Sequence, residues 1–156
     1  MIVRRAEKKD IPRMIELLQQ VLAVHAGLRK DIFIQGTTKY SPEDLEAMLE
    51  DENRPVFAAA DENGRLLGYA MCEIQKPSDT ASLQKITTLY IDDLCVDEDV
   101  RGRHAGTALF DEVSRFAKEK GCYHITLNVW EGNEAAQRFY EAMGMKPLKT
   151  YMEYIL

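Results

Sequence analysis

The stretch "VDEDVRGRHAGTALF", Val96 to Phe110, places two arginines and two glycines between Arg101 and Gly106, directly before a helical pattern. The first N–H groups of a helix lack intrahelical partners, and its N-terminus carries about half a positive charge. Glycines ahead of a helix let the backbone approach an anion closely. The spacing fits neither GxxxxGK[ST] nor GxGxxG. The stretch therefore predicts a strand, a phosphate-binding turn and a helix, with a plain turn carrying solvated arginines as the alternative.

Hydrophobic periodicity and turn residues place the remaining elements around this stretch. Helices are predicted after the capping residues Asp10, Ser41 and Asn133, and over Ala105 to Lys120. Strands are predicted at Ile2–Ala6, Pro55–Ala60, Leu66–Ile74, Ile86–Val96 and His124–Trp130, with two more short ones in the tail to Leu156. This order predicts an α+β fold in which helices cover a mixed sheet.

Composition limits the classes of function that the chain can serve. The 156 residues predict one domain, and the net charge of -6 argues against nonspecific binding to nucleic acid. No apolar run is long enough to cross a membrane. The three cysteines form no CxxC pair and the three histidines follow no metal-ligand spacing, so we expect no metal and a reducing, cytoplasmic location.

A second motif lies in "LNVWEGNEAAQRFYEAMGM", which runs from Leu127 to Met145. Asn133 begins a predicted helix, and Tyr140 follows seven residues later on the same face, about 10 Å away. On its own, an asparagine that caps a helix is common, and so is a half-buried tyrosine. One strand after a phosphate-type turn, the two together indicate a functional site.

These two motifs resemble the signatures of the GNAT superfamily of acetyl-CoA-dependent N-acetyltransferases. The family's Q/R-x-x-G-x-G/A turn after L-x-V corresponds here to Leu94–Val96 followed by Arg101–Gly106. Its N-x-x-A-x-x-F-Y-E-x-x-G-F signature corresponds to Asn133–Met145. The resemblance spans essentially the whole chain. It implies a single domain, residues 1–156, with a mostly antiparallel central mixed sheet of six to seven strands flanked by about four helices.

The resemblance also implies acetyl-CoA as co-substrate and a set of residues that bind it. Tyr140 corresponds to the residue that protonates the departing CoA thiolate. In the turn, His104 stands where the family usually has its first glycine. We expect this histidine to be tolerated if its side chain turns away from the phosphates. The implied acetyl-CoA-binding residues are Leu94, Cys95, Val96, Arg101, Gly102, Arg103, His104, Ala105, Gly106, Thr107 and Asn133.

The catalytic base is predicted from strand alternation. A protonated amine must lose a proton before it attacks a thioester. Regular alternation places Asp92 on one face with Leu94 and Val96, and Asp93 on the other. Asp92 is therefore the predicted base, Asp93 a structural acid, and Glu73 or a water molecule the alternatives.

The acceptor is expected to bind across the segment between the first two helices. Phe33, Tyr40 and Glu73 are the predicted substrate-binding residues, with His25 and Ile34 as further candidates. The acidic charge favours a small cationic amine. The alternatives are a protein N-terminus or lysine as acceptor, and a non-catalytic acyl-CoA-binding module. Exposed strand edges near the C-terminus favour a homodimer.

Overall fold

A computed structural model describes residues 1–100, 102 and 104–156, and a single five-stranded sheet runs through it. Its strands lie side by side in sequence order. The first four pair antiparallel, and β5 pairs with β4 in parallel. The predicted mixed, mostly antiparallel sheet is thereby confirmed. The strands are β1 Ile2–Arg5, β2 Val56–Ala60, β3 Leu66–Gln75, β4 Thr88–Val96 and β5 His124–Thr126.

Four helices cover the two faces of this sheet. They are α1 Ile11–Leu28, α2 Pro42–Glu50, α3 Ala105–Glu119 and α4 Glu134–Ala142. One core joins α1 and α2 to Tyr69 and Met71 of β3, and the other joins α3 and α4 to Ala70 and Cys72. Side chains on alternate positions of one strand thus enter opposite cores.

The helix starts follow the predicted capping chemistry at two places. Ser41 Oγ accepts a hydrogen bond from the Asp44 backbone N–H at 3.1 Å, and the Asp44 carboxylate accepts one from the Ser41 N–H. Asn133 Oδ1 accepts from the Ala136 N–H at 3.3 Å at the start of α4. Asp10 instead lies buried and accepts two hydrogen bonds from the Arg4 guanidinium.

The sheet contains five strands rather than the six to seven expected. β5 ends at Thr126 instead of Trp130, because its pairing with β4 stops at Tyr90 opposite Thr126. The two strands predicted in the tail are absent from residues 143–156, all of which are described. A segment with alternating apolar and polar residues forms a strand only where a neighbouring strand completes its backbone hydrogen bonds. The tail is largely exposed and does not pair in this way.

A bulge in β4 makes the predicted alternation wrong. Met71 of β3 lies opposite Asp93 while its neighbour Cys72 lies opposite Ile91, so Asp92 is an extra residue in β4. An inserted residue shifts all following side chains to the other face. Leu94 and Val96 therefore join the α3 core and Cys95 the α1 core.

The bulge also brings both aspartates to one face. Asp92 accepts a hydrogen bond from Tyr40 Oη, and Asp93 accepts one from Tyr69 Oη, each at 2.6 Å. Both tyrosines belong to the α1 side of the sheet. Asp93 does not point away from Asp92, as expected from sequence, but lies beside it.

A buried carboxylate fixes the chain just after β4. Asp97 is fully buried and accepts hydrogen bonds from Arg13, from Gln20 Nε2 at 3.3 Å and from Arg65 Nη2 at 3.3 Å. Burial alone would raise its pKa, but hydrogen bonds from Gln20 and from the Asp99 backbone N–H, together with the charge and hydrogen bond of Arg13, hold the pKa of Asp97 below its ordinary value. This network anchors the end of β4 from which the glycine-containing turn departs.

Candidate active site

A cavity of about 1440 Å³ opens where β4 and β5 part. The two strands pair only as far as Tyr90, whereas β4 continues to Val96. The resulting gap is lined on one side by residues 90–96 of β4 and on the other by residues 128–131. The start of α3, one face of α4, part of α1, the segment between α1 and α2, and the tail near residues 149–153 also line the cavity.

The start of α3, which follows the first motif, lines this cavity. Gly102, His104, Ala105, Gly106 and Thr107 all line it. Arg101 and Arg103 lie outside the described residues, so their predicted contribution stays a prediction. The backbone N–H groups of the first turn of α3 are available for an anion, because a helix gives them no intrahelical partner.

His104 takes a left-handed backbone conformation, with φ 62° and ψ 13°, immediately before α3. This is the conformation that glycine adopts at no steric cost, and histidine is one of the side chains that tolerates it best. Its carbonyl oxygen accepts the Ala108 N–H at 2.9 Å and so begins the helix. His104 thus holds a glycine-like backbone conformation where the resemblance implies a glycine, and its compatibility with acetyl-CoA binding stays a prediction.

Gly106 is a site of close packing between α3 and α4. A Cβ atom at this position would lie 3.2 Å from the Phe139 ring and 3.6 Å from Val96. The glycine therefore lets α4 approach the end of β4. This contact brings the second motif, which contains Phe139, against the first.

The second motif contributes Asn133 and Tyr140, and both line the cavity. The Tyr140 ring packs against Phe139 with the ring centroids 5.1 Å apart. Burial, and secondly the charge of Asp93, raise the pKa of the Tyr140 phenol above its ordinary value. At neutral pH Tyr140 is therefore a proton donor.

Asp92 is held between two donors from the segment that precedes α2. Lys39 Nζ lies 2.7 Å from Asp92 Oδ1, and Tyr40 Oη lies 2.6 Å from Asp92 Oδ2. Arg54 Nη2 in turn donates to Tyr40 Oη at 3.3 Å. The Asp92 side chain is 18% exposed and lines the cavity, so solvent and small molecules reach it.

Asp93 lies in a drier environment than its neighbour. Desolvation raises the pKa of Asp93 to about 6, although Tyr69 donates a hydrogen bond to it and Lys39 adds a positive charge nearby. The sequence-based assignment of Asp93 to the opposite face missed this carboxyl as part of the cavity. No signal in the sequence marks the bulge that brings it there.

Of the predicted acceptor-binding residues, some line the cavity, whereas Tyr40 and Glu73 do not, and Tyr40 instead donates a hydrogen bond to Asp92 from behind the wall. Phe33, Ile34 and His25 line the cavity, and Phe33 contacts both His25 and Trp130, with ring centroids 5.2 and 5.1 Å apart. Burial and the charge of Lys39 lower the pKa of His25, which favours the neutral ring. Glu73 does not reach the cavity, because it is exposed near the end of β3, opposite Tyr90.

Trp130 and Lys39 are among the cavity residues that were not predicted from sequence. Trp130 completes the aromatic cluster, and it could have been noted as the tryptophan that follows the β5 pattern. Lys39 pairs with Asp92, and no periodicity marks a lysine in an irregular segment. Lys39 and Trp130 both come from segments without helix or strand, where sequence patterns carry least information.

Neither a metal centre nor a membrane span is found in the part of the chain that the structure describes. No three His, Cys, Asp or Glu side chains among residues 1–100, 102 and 104–156 lie together as metal ligands. Within the same residues, no helix has the length and apolar character needed to span a bilayer.

Comparison with known proteins gives a family match over most of the chain. Residues 22–145 match the model of the acetyltransferase (GNAT) family. A segment of 90 residues is 31% identical to the uncharacterized N-acetyltransferase MJ1207 of Methanocaldococcus jannaschii. That match covers 58% of this chain but only 38% of the relative, so the chain spans well under half of that protein's length.

Solved structures extend the similarity to the whole chain. A variant of protein BH1408 from Bacillus halodurans superposes with a TM-score of 0.96 at 31% identity, covering 100% of this chain and 99% of that one. An aminoglycoside N-acetyltransferase, AAC(6')-Iy, solved in complex with CoA, gives a TM-score of 0.74 at 17% identity. It covers 99% of this chain and 98% of its own, and at that identity it shows the shared fold alone.

Proposed function

The chain belongs to the acetyltransferase (GNAT) family, whose members are acyltransferases that use acetyl-CoA, and from this premise we propose the reaction that it catalyses. It transfers the acetyl group of acetyl-CoA to the primary amine of a small cationic acceptor. The amine attacks the thioester directly while both substrates are bound. The catalytic unit is one domain, residues 1–156.

The observation that carries the proposal is the composition of one cavity. The start of α3, the end of β4, the Asp92 carboxylate and the Tyr140 hydroxyl all line the same space. The pyrophosphate of acetyl-CoA would take the N–H groups at the start of α3, where the helix dipole favours negative charge. Leu94–Val96 and Asn133 would hold the pantetheine arm, which directs the thioester toward Asp92 and Tyr140.

The proposed chemistry needs one base and one acid. Asp92 takes a proton from the acceptor ammonium, since only the neutral amine has a lone pair for attack. The nitrogen forms a bond to the carbonyl carbon, the carbon–sulfur bond breaks, and the electron pair moves to sulfur. Tyr140 donates its phenolic proton to the thiolate, whose charge is costly in a partly dry site. The nitrogen loses its second proton as the amide forms; one of its two protons restores Tyr140, and the other leaves through Asp92 to solvent.

Charge and shape support a cationic acceptor. Asp92 and Asp93 lie side by side on the wall of the cavity, and an ammonium group fits between such carboxylates. Phe33 and Trp130 add aromatic faces, which attract cations within about 6 Å of the ring. The name of the structural neighbour AAC(6')-Iy describes acetylation of aminoglycosides, which also carry several amines.

Two measurements test the proposal. Acetyl-CoA should raise the melting temperature, because a ligand at a hundred times its Kd adds about 2.7 kcal/mol to stability, whereas NAD and ATP should not.

Release of CoA is then measured with a panel of polyamines, aminoglycosides, amino acids and peptides. Release with polyamines or aminoglycosides supports a small cationic acceptor, whereas release with peptides alone favours the protein acetyltransferase. Binding of acetyl-CoA without CoA release for any amine would contradict catalysis.

We further propose a cytoplasmic homodimer formed through residues 146–156. Tyr151, Tyr154 and Leu156 are almost fully exposed in this segment, and exposed apolar side chains at this density favour a protein contact. Light scattering with size-exclusion chromatography should give twice the chain mass. Tyr154→Asp should reduce this mass to that of the monomer, and a wild-type protein that is monomeric at high concentration would contradict the dimer.

A further inference from the structure

The ion pair between Lys39 and Asp92 places a primary amine of the chain itself where the proposed reaction needs one. Lys39 Nζ lies 2.7 Å from Asp92 Oδ1, within the distance over which a base removes a proton. The lysine side chain is 50% exposed and lines the cavity together with Leu94 and Tyr140. An alkyl ammonium bound to Asp92 is also the arrangement proposed above for the acceptor.

We infer that Lys39 is a site of self-acetylation, so that the chain acetylates its own Lys39 Nζ from acetyl-CoA when no external amine is bound. This inference rests on the proposed function, since it uses the same base, acid and co-substrate. It adds a modification site and a competition between Lys39 and the external acceptor.

The reaction requires Lys39 Nζ to move a short way from Asp92 to the thioester carbon, and the position of Lys39 in the chain permits this movement. Residues 29–41 join α1 to α2 without helix or strand, so Lys39 is not fixed by a regular hydrogen-bond ladder. Its Nζ contacts the Asp92 carboxylate, and Lys39 lines the same cavity as Asp93 and Tyr140.

The reaction balances with the groups present and acetyl-CoA. Lys39 Nζ gives one proton to Asp92 and attacks the thioester carbonyl carbon with its freed lone pair. The carbon–nitrogen bond forms, the carbon–sulfur bond breaks, and Tyr140 protonates the thiolate. Nζ loses its second proton as the amide forms. Of the two protons, one restores Tyr140 and the other leaves through Asp92 to solvent.

Acetylation would change the site in a defined way. An acetylated lysine is a neutral amide, so it no longer neutralises Asp92. It also leaves a bulky group beside the carboxylate to which the acceptor binds. We expect the modified chain to turn over external amines more slowly than the unmodified chain.

The test uses the intact protein, acetyl-CoA with an isotopically labelled acetyl group, and no added amine. Peptide mass spectrometry should find the label at Lys39, at a rate per chain that does not change with protein concentration. Lys39→Arg keeps the positive charge and should abolish this label. Lys149→Arg, within the same cavity, and Lys30→Arg, exposed on the same segment, should both leave labelling of Lys39 unchanged.

Two further results separate this inference from chemical acetylation of surface lysines. Asp92→Asn should slow labelling of Lys39 at least tenfold, and a cationic amine that is turned over should suppress it. Equal labelling of Lys30 and Lys39, or a rate proportional to protein concentration, would overturn the inference. If acetyl-CoA binds and amines are acetylated while Lys39 stays unlabelled, the inference fails and the proposed function stands. If acetyl-CoA does not bind, both fail.

Discussion

Replacing Asp93 with asparagine should change the way in which stability depends on pH. In the native state desolvation raises the pKa of Asp93 to about 6, from an ordinary value of 3.8. Between these two values the native chain keeps a proton that the unfolded chain releases. Stability contributed by this group is therefore present below pH 3.8 and is lost as the pH rises through about 6.

The size of this loss follows from the two pKa values. Each unit of pKa corresponds to about 1.4 kcal/mol, so ionised Asp93 lowers the stability at neutral pH by about 3 kcal/mol. The amide of an asparagine side chain has no such proton to lose. The free energy of unfolding of Asp93→Asn minus that of the wild type should therefore rise by about 3 kcal/mol between about pH 3.5 and about pH 7.5.

Urea denaturation at a series of pH values measures this difference directly. Carboxyls whose pKa lies below the ordinary range, such as Asp10 and Asp97, change both proteins alike and cancel. Asp111→Asn, on the exposed side of α3, shows the effect of losing one negative charge at a solvated position. A difference for Asp93→Asn that stays constant with pH, or falls as the pH rises, would refute the assignment of Asp93 as a desolvated carboxyl.

Further substitutions test the cavity and the turn. Tyr140→Phe should leave acetyl-CoA affinity unchanged and lower turnover at least tenfold, or about 1.4 kcal/mol; unchanged turnover would make Tyr140 a packing residue. Asp92→Asn should lower kcat by about 10² or more near neutral pH and less at high pH, and equal losses across the pH range would contradict its role as base. Gly68→Ala should lower the free energy of unfolding by about 1–3 kcal/mol, because its Cβ would lie 2.6 Å from a backbone oxygen of β4. Gly27→Ala should raise it by about 0.5–1 kcal/mol, because Gly27 lies in open space on α1 and alanine favours a helix over glycine. His104→Gly should be about 1 kcal/mol more stable than His104→Ala in thermal unfolding, since only glycine takes φ 62° without strain; equal stabilities would contradict this.

The sequence predicted the features that depend on local chemistry. Ser41 and Asn133 cap helices in the structure as they do in the pattern, because each cap involves residues three positions apart. The start of α3 at Ala105 was predicted for a related reason. Glycines and arginines beside a helix start indicate backbone freedom and positive charge whatever the rest of the fold does.

The features that the sequence could not predict depend on contacts between distant segments. The bulge at Asp92 arises from the pairing of β4 with β3, and a period of two has no means of showing an inserted residue. Glu73 was a candidate because it lies on the neighbouring strand, yet the sheet leaves it exposed. Lys39 and Trp130 meet the cavity from two irregular segments that are far apart in the chain.

The bulge in β4 explains why the cavity carries two neighbouring carboxyls with different hydrogen-bond partners. Without an extra residue, Asp92 and Asp93 would face opposite cores, and one of them would be buried away from the site. With it, Asp92 meets Lys39 and Tyr40, while Asp93 meets Tyr69 in a drier place. A cationic acceptor that binds Asp92 would compete there with Lys39, whose ammonium already contacts Oδ1. On the proposals made above, binding of the acceptor and acetylation of Lys39 would both depend on the Asp92 carboxylate.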